Sequence, residues 1–152
     1  TFDGETLASQ DSVVTVAANA SVELARLDLS PADGRAREGF VHARFTPEGG
    51  ETVENVLFLA KPKELALPSP GIEVLSVSSE ADNAFNVTLR AQRFAAWVWL
   101  RLEGVDADWS DNGFHLLPGE RKVVTVRPVG ARVSAAEVAK ALLARSLTLS
   151  DG

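Results

Sequence analysis

Acidic side chains are the most numerous groups in this sequence with a capacity for chemistry. The chain has 21 Asp and Glu residues against 15 Lys and Arg, for a formal net charge of −6. None of the acids lies in a recognisable catalytic motif, and we expect them in turns and at outward strand positions, as a solvated surface. His42 and His115 are far apart in the sequence and lack metal-ligand spacing. The sequence therefore predicts no catalytic residue, no metal site and no cofactor.

The three tryptophans, Trp97, Trp99 and Trp109, are the candidates for a binding role. Aliphatic residues alternate with Trp97 and Trp99 along residues 96–102, and alternate residues of a strand share a face. An aliphatic face in the core therefore predicts that these two indoles point outward. Outward indoles pack against a neighbouring domain or stack on a sugar ring, and a core position is the third alternative if the faces are reversed. Trp109 precedes a turn, where packing and sugar contact are again the alternatives.

Composition excludes several classes of function. Hydrophobic residues make up 45% of the chain and charged residues 24%, which is enough to build a buried core. The basic residues are scattered, whereas a nucleic-acid partner needs a Lys/Arg patch. No apolar run approaches the roughly 20 residues that span a bilayer, so no membrane partner is expected. Cysteine is absent, which excludes a disulfide framework and leaves the compartment open.

Short strands separated by turns predict an all-β protein. After a tight turn at Asp3-Gly4, the first half predicts strands at residues 13–16, 22–29, 40–45 and 53–59. The second half predicts strands at residues 72–77, 85–89, 96–102, 114–117, 122–127 and 146–149. One short helix is predicted from a capping box at Ser134 and Glu137 as far as Ala144. This pattern favours a sandwich or a barrel over alternating strands and helices.

A module boundary is predicted at Pro68-Ser69-Pro70-Gly71, because two prolines beside a glycine interrupt any strand ladder. It divides the chain into residues 1–67 and residues 68–152. The chain starts with Thr1 and contains no Met, so we expect a piece cut from a longer polypeptide.

The stretch from Trp109 to Glu120, WSDNGFHLLPGE, resembles a segment of the C-terminal immunoglobulin-like domain of β-mannosidases. Related exo-β-glucosaminidases of glycoside hydrolase family 2 carry similar segments. Residues 54–65 resemble the strand and linker that join that domain to the sandwich before it, and the short helix with Arg145-Ser146-Leu147 resembles the family's ending. The resemblance covers about residues 52–150, and residues 1–51 fit the preceding immunoglobulin-like domain.

The resemblance implies two immunoglobulin-like β-sandwich modules. The first is expected to be incomplete, because such a sandwich has about seven strands and about five precede the boundary. It also implies a non-catalytic C-terminal region of a retaining β-mannosidase that removes terminal β-linked mannose. The catalytic glutamates of that family lie on a (β/α)₈ barrel of about 250 residues, and no Glu here matches their motifs.

The implied partners are the other domains of the parent glycosidase and, through the outward tryptophans, an oligosaccharide. Three alternatives remain: a carbohydrate-binding module, a region of an exo-β-glucosaminidase, and an adhesion-type or transporter-associated immunoglobulin-like domain. The alanine- and arginine-rich composition favours a bacterial source, and a periplasmic or secreted location is favoured for a bacterial polysaccharide-degrading enzyme.

Overall fold

The computed structural model describes residues 1–148, which fold mainly into β-strands. The strands are β1 (Phe40–Phe45), β2 (Val53–Phe58), β3 (Ile72–Ser79), β4 (Phe85–Ala91), β5 (Ala95–Leu102), β6 (Ala107–Trp109), β7 (Phe114–Leu116), β8 (Arg121–Pro128) and β9 (Leu142–Leu147). Helix α1 (Ala135–Ala141) lies between β8 and β9, and short 3-10 helices occur at Ser30–Ala32, Ala36–Glu38 and Pro62–Glu64. The predicted all-β class, with one helix near the C-terminus, is confirmed.

Strands β3 to β9, which we call the second module, form a sandwich of two antiparallel sheets. One sheet has the order β3-β4-β8-β6 and the other the order β7-β5-β9. Side chains alternate along each strand, so one face of each sheet points inward. The two inward faces pack against each other and form one core. Val87 on β4 and Val98 on β5 are both 0% exposed. The aliphatic face along residues 96–102, which the sequence predicted to be buried, is therefore the face that is buried in the structure.

Strands β1 and β2, with the residues before them, form what we call the first module. The two strands pair with each other, Phe40 opposite Phe58 and Phe45 opposite Val53. Their inner face packs against the second module through Phe40 and Phe58, whereas Phe45 and Val53 on the outer face are 45% and 60% exposed. A two-stranded sheet is marginally stable alone, so this sheet depends on its contact with the second module.

The strands predicted at residues 13–16 and 22–29 are wrong. These residues lie outside every strand ladder, although their apolar residues have the spacing of strands. Within residues 5–28 the backbone makes a single hydrogen bond to itself, from Ala20 N–H to Ala17 O at 3.2 Å. A strand needs a neighbouring edge that supplies hydrogen bonds, and no edge reaches this segment in the described part of the chain.

The end of the chain also differs from the prediction. Helix α1 ends at Ala141 rather than Ala144, because the chain from Leu142 pairs with β5. The last strand therefore begins earlier than predicted, and its predicted end at residue 149 lies outside the described residues. The capping box is confirmed: Ser134 Oγ accepts from Glu137 N–H, and the Glu137 carboxylate accepts from Ser134 N–H at 2.7 Å.

Candidate functional site at the module junction

Aromatic rings from both modules meet between β1–β2 and the sheet that contains β5. We call this set the junction cluster, which consists of Phe2, Phe40, Phe58, Phe94, Trp97 and His115. Phe94 is 1% exposed and lies at its centre, with ring centroids 4.5 Å from Phe40, 5.3 Å from Phe2 and 5.8 Å from Phe58. Each such ring pair adds about 0.5–1.5 kcal/mol beyond the area it buries. The cluster therefore holds the two modules together.

A β-bulge directs Trp97 into this junction. Ala95 pairs with Leu116 and Val98 pairs with Phe114, so two residues of β5 lie opposite the single residue His115 of β7. Trp97 adopts a φ of 48°, a left-handed conformation that is strained for a bulky side chain. Its ring lies 5.1 Å from Phe58 of the first module. The strained backbone thus places an indole where it contacts both modules.

His115 is a neutral packing ring in the junction cluster. Its Nδ1 accepts a hydrogen bond from Trp97 N–H at 3.2 Å, which places the ring proton on Nε2. The imidazole stacks on Phe94 at 5.5 Å and meets Phe58 edge-on at 5.4 Å. Burial lowers the pKa of His115, because these surroundings solvate the charged form poorly. The ring therefore remains uncharged at neutral pH.

An ionic network crosses the junction beside the aromatic rings. Arg44 of β1 contacts Glu54 at 2.7 Å and Glu120, in the turn before β8, at 3.0 Å. His42 also contacts Glu54 at 3.2 Å. Pairs this exposed contribute about 0–1 kcal/mol each, so they orient the modules more than they stabilise them.

A cleft of about 400 Å³ beside this network is lined by Glu54, Glu120 and His115, among others. Burial alone would raise the pKa of Glu54, but hydrogen bonds from His42 and Arg44 outweigh it and lower that pKa. A general acid needs a raised pKa, so Glu54 is suited to an ion pair rather than to proton donation.

Within residues 1–148, no group of three or more His, Cys, Asp or Glu could hold a metal ion, and no helix is long and apolar enough to cross a membrane.

The three predicted binding residues lie in three different environments. Trp97 is 37% exposed at the junction. Trp99 is 59% exposed, and its ring lies over Gly113 on the outer face of the sheet. Trp109 ends the short strand β6 and packs half-buried against the main core. The structure therefore does not bring the three indoles into one site, and their functional roles stay predictions.

The stretch around Ser110 and Asn112 forms the corner between the two sheets. Ser and Asn side chains in a turn commonly bond the backbone of that same turn. Instead, Asn112 bonds both Leu100 N–H and Leu100 O on β5, at 2.8 and 2.9 Å, and only one further bond, to Gly113 N–H, is local. Ser110 Oγ accepts from Thr125 N–H on β8 at 2.9 Å. The corner is thus attached to one strand of each sheet.

Sequence reasoning missed Phe2, Phe40, Phe58 and Phe94 as functional residues. Four of the seven phenylalanines of the chain lie in the junction cluster, but they come from separate segments whose meeting no local pattern predicts. Phe2 and Phe94 carried a weak signal, because each is a large apolar side chain that directly follows polar residues outside a strand. Such a residue indicates a buried anchor outside the regular strands.

In the described residues, a two-sheet sandwich and a smaller module with one two-stranded sheet meet at an aromatic junction. Two family descriptions match the chain: "Mannosidase Ig/CBM-like domain" over residues 1–64 and "Ig-fold domain", from the mannosidase immunoglobulin family, over residues 67–149. The chain therefore belongs to the immunoglobulin-like domains of mannosidase-type glycoside hydrolases, and the resemblance seen in the sequence is confirmed. No curated protein matches the chain. The boundary at residues 67 and 68 stays a prediction.

Proposed function

We propose that the chain is the non-catalytic C-terminal accessory region of a β-mannosidase-like retaining exo-glycosidase of family 2, which acts on terminal β-linked mannose. The observation that supports this most directly is the junction cluster, which fixes two family modules to each other. A sandwich and a smaller module held together by a buried aromatic junction are suited to bracing a neighbouring catalytic domain. Its partners are then the other domains of the parent enzyme.

The acidic residues support a structural role for the chain. Retaining hydrolysis needs a nucleophilic carboxylate and a second carboxyl that is protonated when the reaction starts. Glu54 and Glu120 share Arg44, and the lowered pKa of Glu54 keeps it ionised. Both carboxylates are therefore held as acceptors of one guanidinium group.

The experiment is hydrolysis of an aryl β-mannoside by the 152-residue chain and by the intact product of its reading frame. We expect no turnover from the chain, and turnover with retained anomeric configuration from the intact protein. An aryl β-glucosaminide assayed in parallel distinguishes the exo-β-glucosaminidase alternative. Turnover by the chain that disappears in Glu54→Gln would place catalysis in these residues and end the proposal.

The outer surface around Trp99 is the face we propose for contact with the parent enzyme. Trp99 lies opposite Arg145, and Arg101 lies two residues further along β5. Tryptophan and arginine are enriched at protein interfaces, so an exposed sheet face that carries them suits contact with another domain. A bacterial source and a periplasmic or secreted location complete the proposal, for a polysaccharide-degrading enzyme.

Carbohydrate binding is the second candidate function, and the 59% exposed indole of Trp99 favours it. Titration with mannan and with chitosan oligosaccharides tests it, using Trp99→Ala as the variant and Val123→Ala, which is 58% exposed on β8, as the matched control. Saturable binding that only Trp99→Ala abolishes would support a sugar-binding module. Flat titrations would leave domain packing as the role of Trp99.

A further inference from the structure

A wide cleft lies between the segment at residues 7–32 and the β1–β2 sheet, where residues from both faces of β1 line it. Its volume is about 1670 Å³. Apolar side chains line it from both sides, namely Val14, Val16, Leu24, Leu29, Phe45 and Val53. All six are between 37% and 60% exposed, so the two apolar surfaces face each other without closing into a core. Large apolar surfaces left open in this way mark interaction sites.

The backbone around the cleft is also open. Within the described residues, β1 and β2 pair only with each other, so each strand has a free edge. The facing segment has apolar residues at alternate positions from Val22 to Leu24 and from Leu27 to Leu29, yet it joins no ladder. Unpaired strand edges pair readily with an added strand. An occupant that offers both backbone hydrogen bonds and alternating apolar side chains therefore fits this cleft better than a compact ligand.

Charge specifies the occupant further. Six acidic residues line the cleft: Glu5, Asp11, Asp28, Glu48, Glu54 and Glu120. Three of them already have a basic partner, because Arg44 pairs with Glu54 and Glu120, and Arg35 pairs with Glu5 at 2.8 Å. Among the described residues, Asp11, Asp28 and Glu48 form no ion pair. A cationic occupant is therefore favoured over an acidic one. Leu117, Pro118 and Glu120 of the second module form part of the wall, so an occupant here would extend the existing module junction.

We propose that this cleft binds an extended β-strand that has apolar residues at alternate positions and Lys or Arg at positions between them. The strand adds to the free edge of β1, which lines the cleft along its whole length, and directs its apolar side chains toward Phe45 and the facing segment. It thereby supplies the core that the first module lacks. This is strand addition to an open sheet edge, in which the main chain gives affinity and alternate side chains give specificity.

The test is titration of the 152-residue chain with a synthetic peptide of about nine residues, long enough to span a strand of ordinary length. The peptide alternates Val or Leu with Lys and Thr. Calorimetry measures affinity, and amide NMR shifts locate the binding. We expect saturable binding, with shifts at residues 13–29, Phe40–Phe45 and Val53–Phe58. A peptide of the same composition with its apolar residues clustered is expected to bind at least tenfold more weakly, and one with Glu in place of Lys at least fivefold more weakly.

Variants of the chain provide the second measurement. Phe45→Ser is expected to weaken binding at least tenfold, because it removes the largest exposed apolar side chain of the cleft wall. Val123→Ser is the matched control, since Val123 is 58% exposed on β8 and lines no part of the cleft. Absence of saturable binding by the natural chain, or equal binding of the clustered peptide, would overturn the proposal. So would light scattering that finds a dimer of the chain which Phe45→Ser dissociates, because a second copy would then be the occupant.

Discussion

Phe94→Ala is the substitution that tests most directly how the two modules are held together. Phe94 is 1% exposed and contacts Phe2, Phe40, Phe58 and His115 through ring pairs between 4.5 and 5.8 Å. Truncating a fully buried phenylalanine costs about 3–5 kcal/mol, through lost burial and the cavity left behind. We therefore expect a loss of about 4 kcal/mol.

The loss is expected to fall mainly on the first module. The junction cluster contains the packed side chains of β1 and β2, whereas the main core of the second module shares no buried residue with it. A two-stranded sheet without that packing does not persist alone. Phe94→Ala should therefore open β1–β2 while β4 and β8 stay folded.

Hydrogen exchange of backbone amides is the assay, because it reports opening residue by residue. At about 1.4 kcal/mol per decade, we expect protection of the amides in β1 and β2 to fall by roughly two to three decades. Protection in β4 and β8 should change by less than about one decade. The matched control is Phe114→Ala in the main core, which should lower protection in β4 and β8 directly. Two results for Phe94→Ala would refute independent packing of the two cores. One is an equal loss of amide protection in both modules, and the other is a loss of less than about 1 kcal/mol in the free energy of unfolding.

Three further predictions concern single residues near the junction. Trp97→Gly should be more stable than Trp97→Ala by about 1 kcal/mol in urea unfolding. Both variants lose the indole, but only glycine adopts a φ of 48° without strain. Equal stabilities of the two variants would argue against backbone strain at the bulge. The pKa of His115 is lowered in the folded state, so its contribution to stability is present above the unfolded value of about 6.5 and is lost as the pH falls below it. The free energy of unfolding should therefore decline from pH 7.5 to 5.5 more steeply in the natural chain than in His115→Gln, and identical slopes would contradict this. Asn112→Ala should lower stability by about 2–3 kcal/mol in thermal unfolding, because it leaves the Leu100 N–H and C=O without their partners. The control, Asp111→Ala, removes only the exposed contact to Lys122 and should lower stability by less than about 1 kcal/mol.

Local patterns were sufficient to predict most strands of the second module. Alternation along residues 96–102 identified the buried face of β5, and the capping box identified the start of α1. The same reasoning failed at residues 13–16 and 22–29, where the pattern is equally clear. Alternation reports only which side chains prefer burial, whereas a strand also needs a neighbour that satisfies its backbone groups.

The bulge at Trp97 shows a second limit. The sequence predicted an outward indole from the regular alternation of side chains along a strand. That alternation does not show where a bulge inserts an extra residue. The left-handed φ of Trp97 is stable only where the surrounding contacts hold it, and those contacts come from Phe58 and His115, distant in the sequence. Local propensity therefore predicts an ordinary strand at this position.

The sequence by itself determined the all-β class, the short helix with its cap and the family, because strand periodicity, capping chemistry and a long ordered motif are all local features. Tertiary structure alone decided that four phenylalanines, Trp97 and His115 form one cluster, that Arg44 links Glu54 to Glu120, and that the outer face of β1–β2 stays open. Each of these depends on which surfaces meet after folding. The free energy of such contacts belongs to pairs of distant segments, so no single stretch of the chain encodes it.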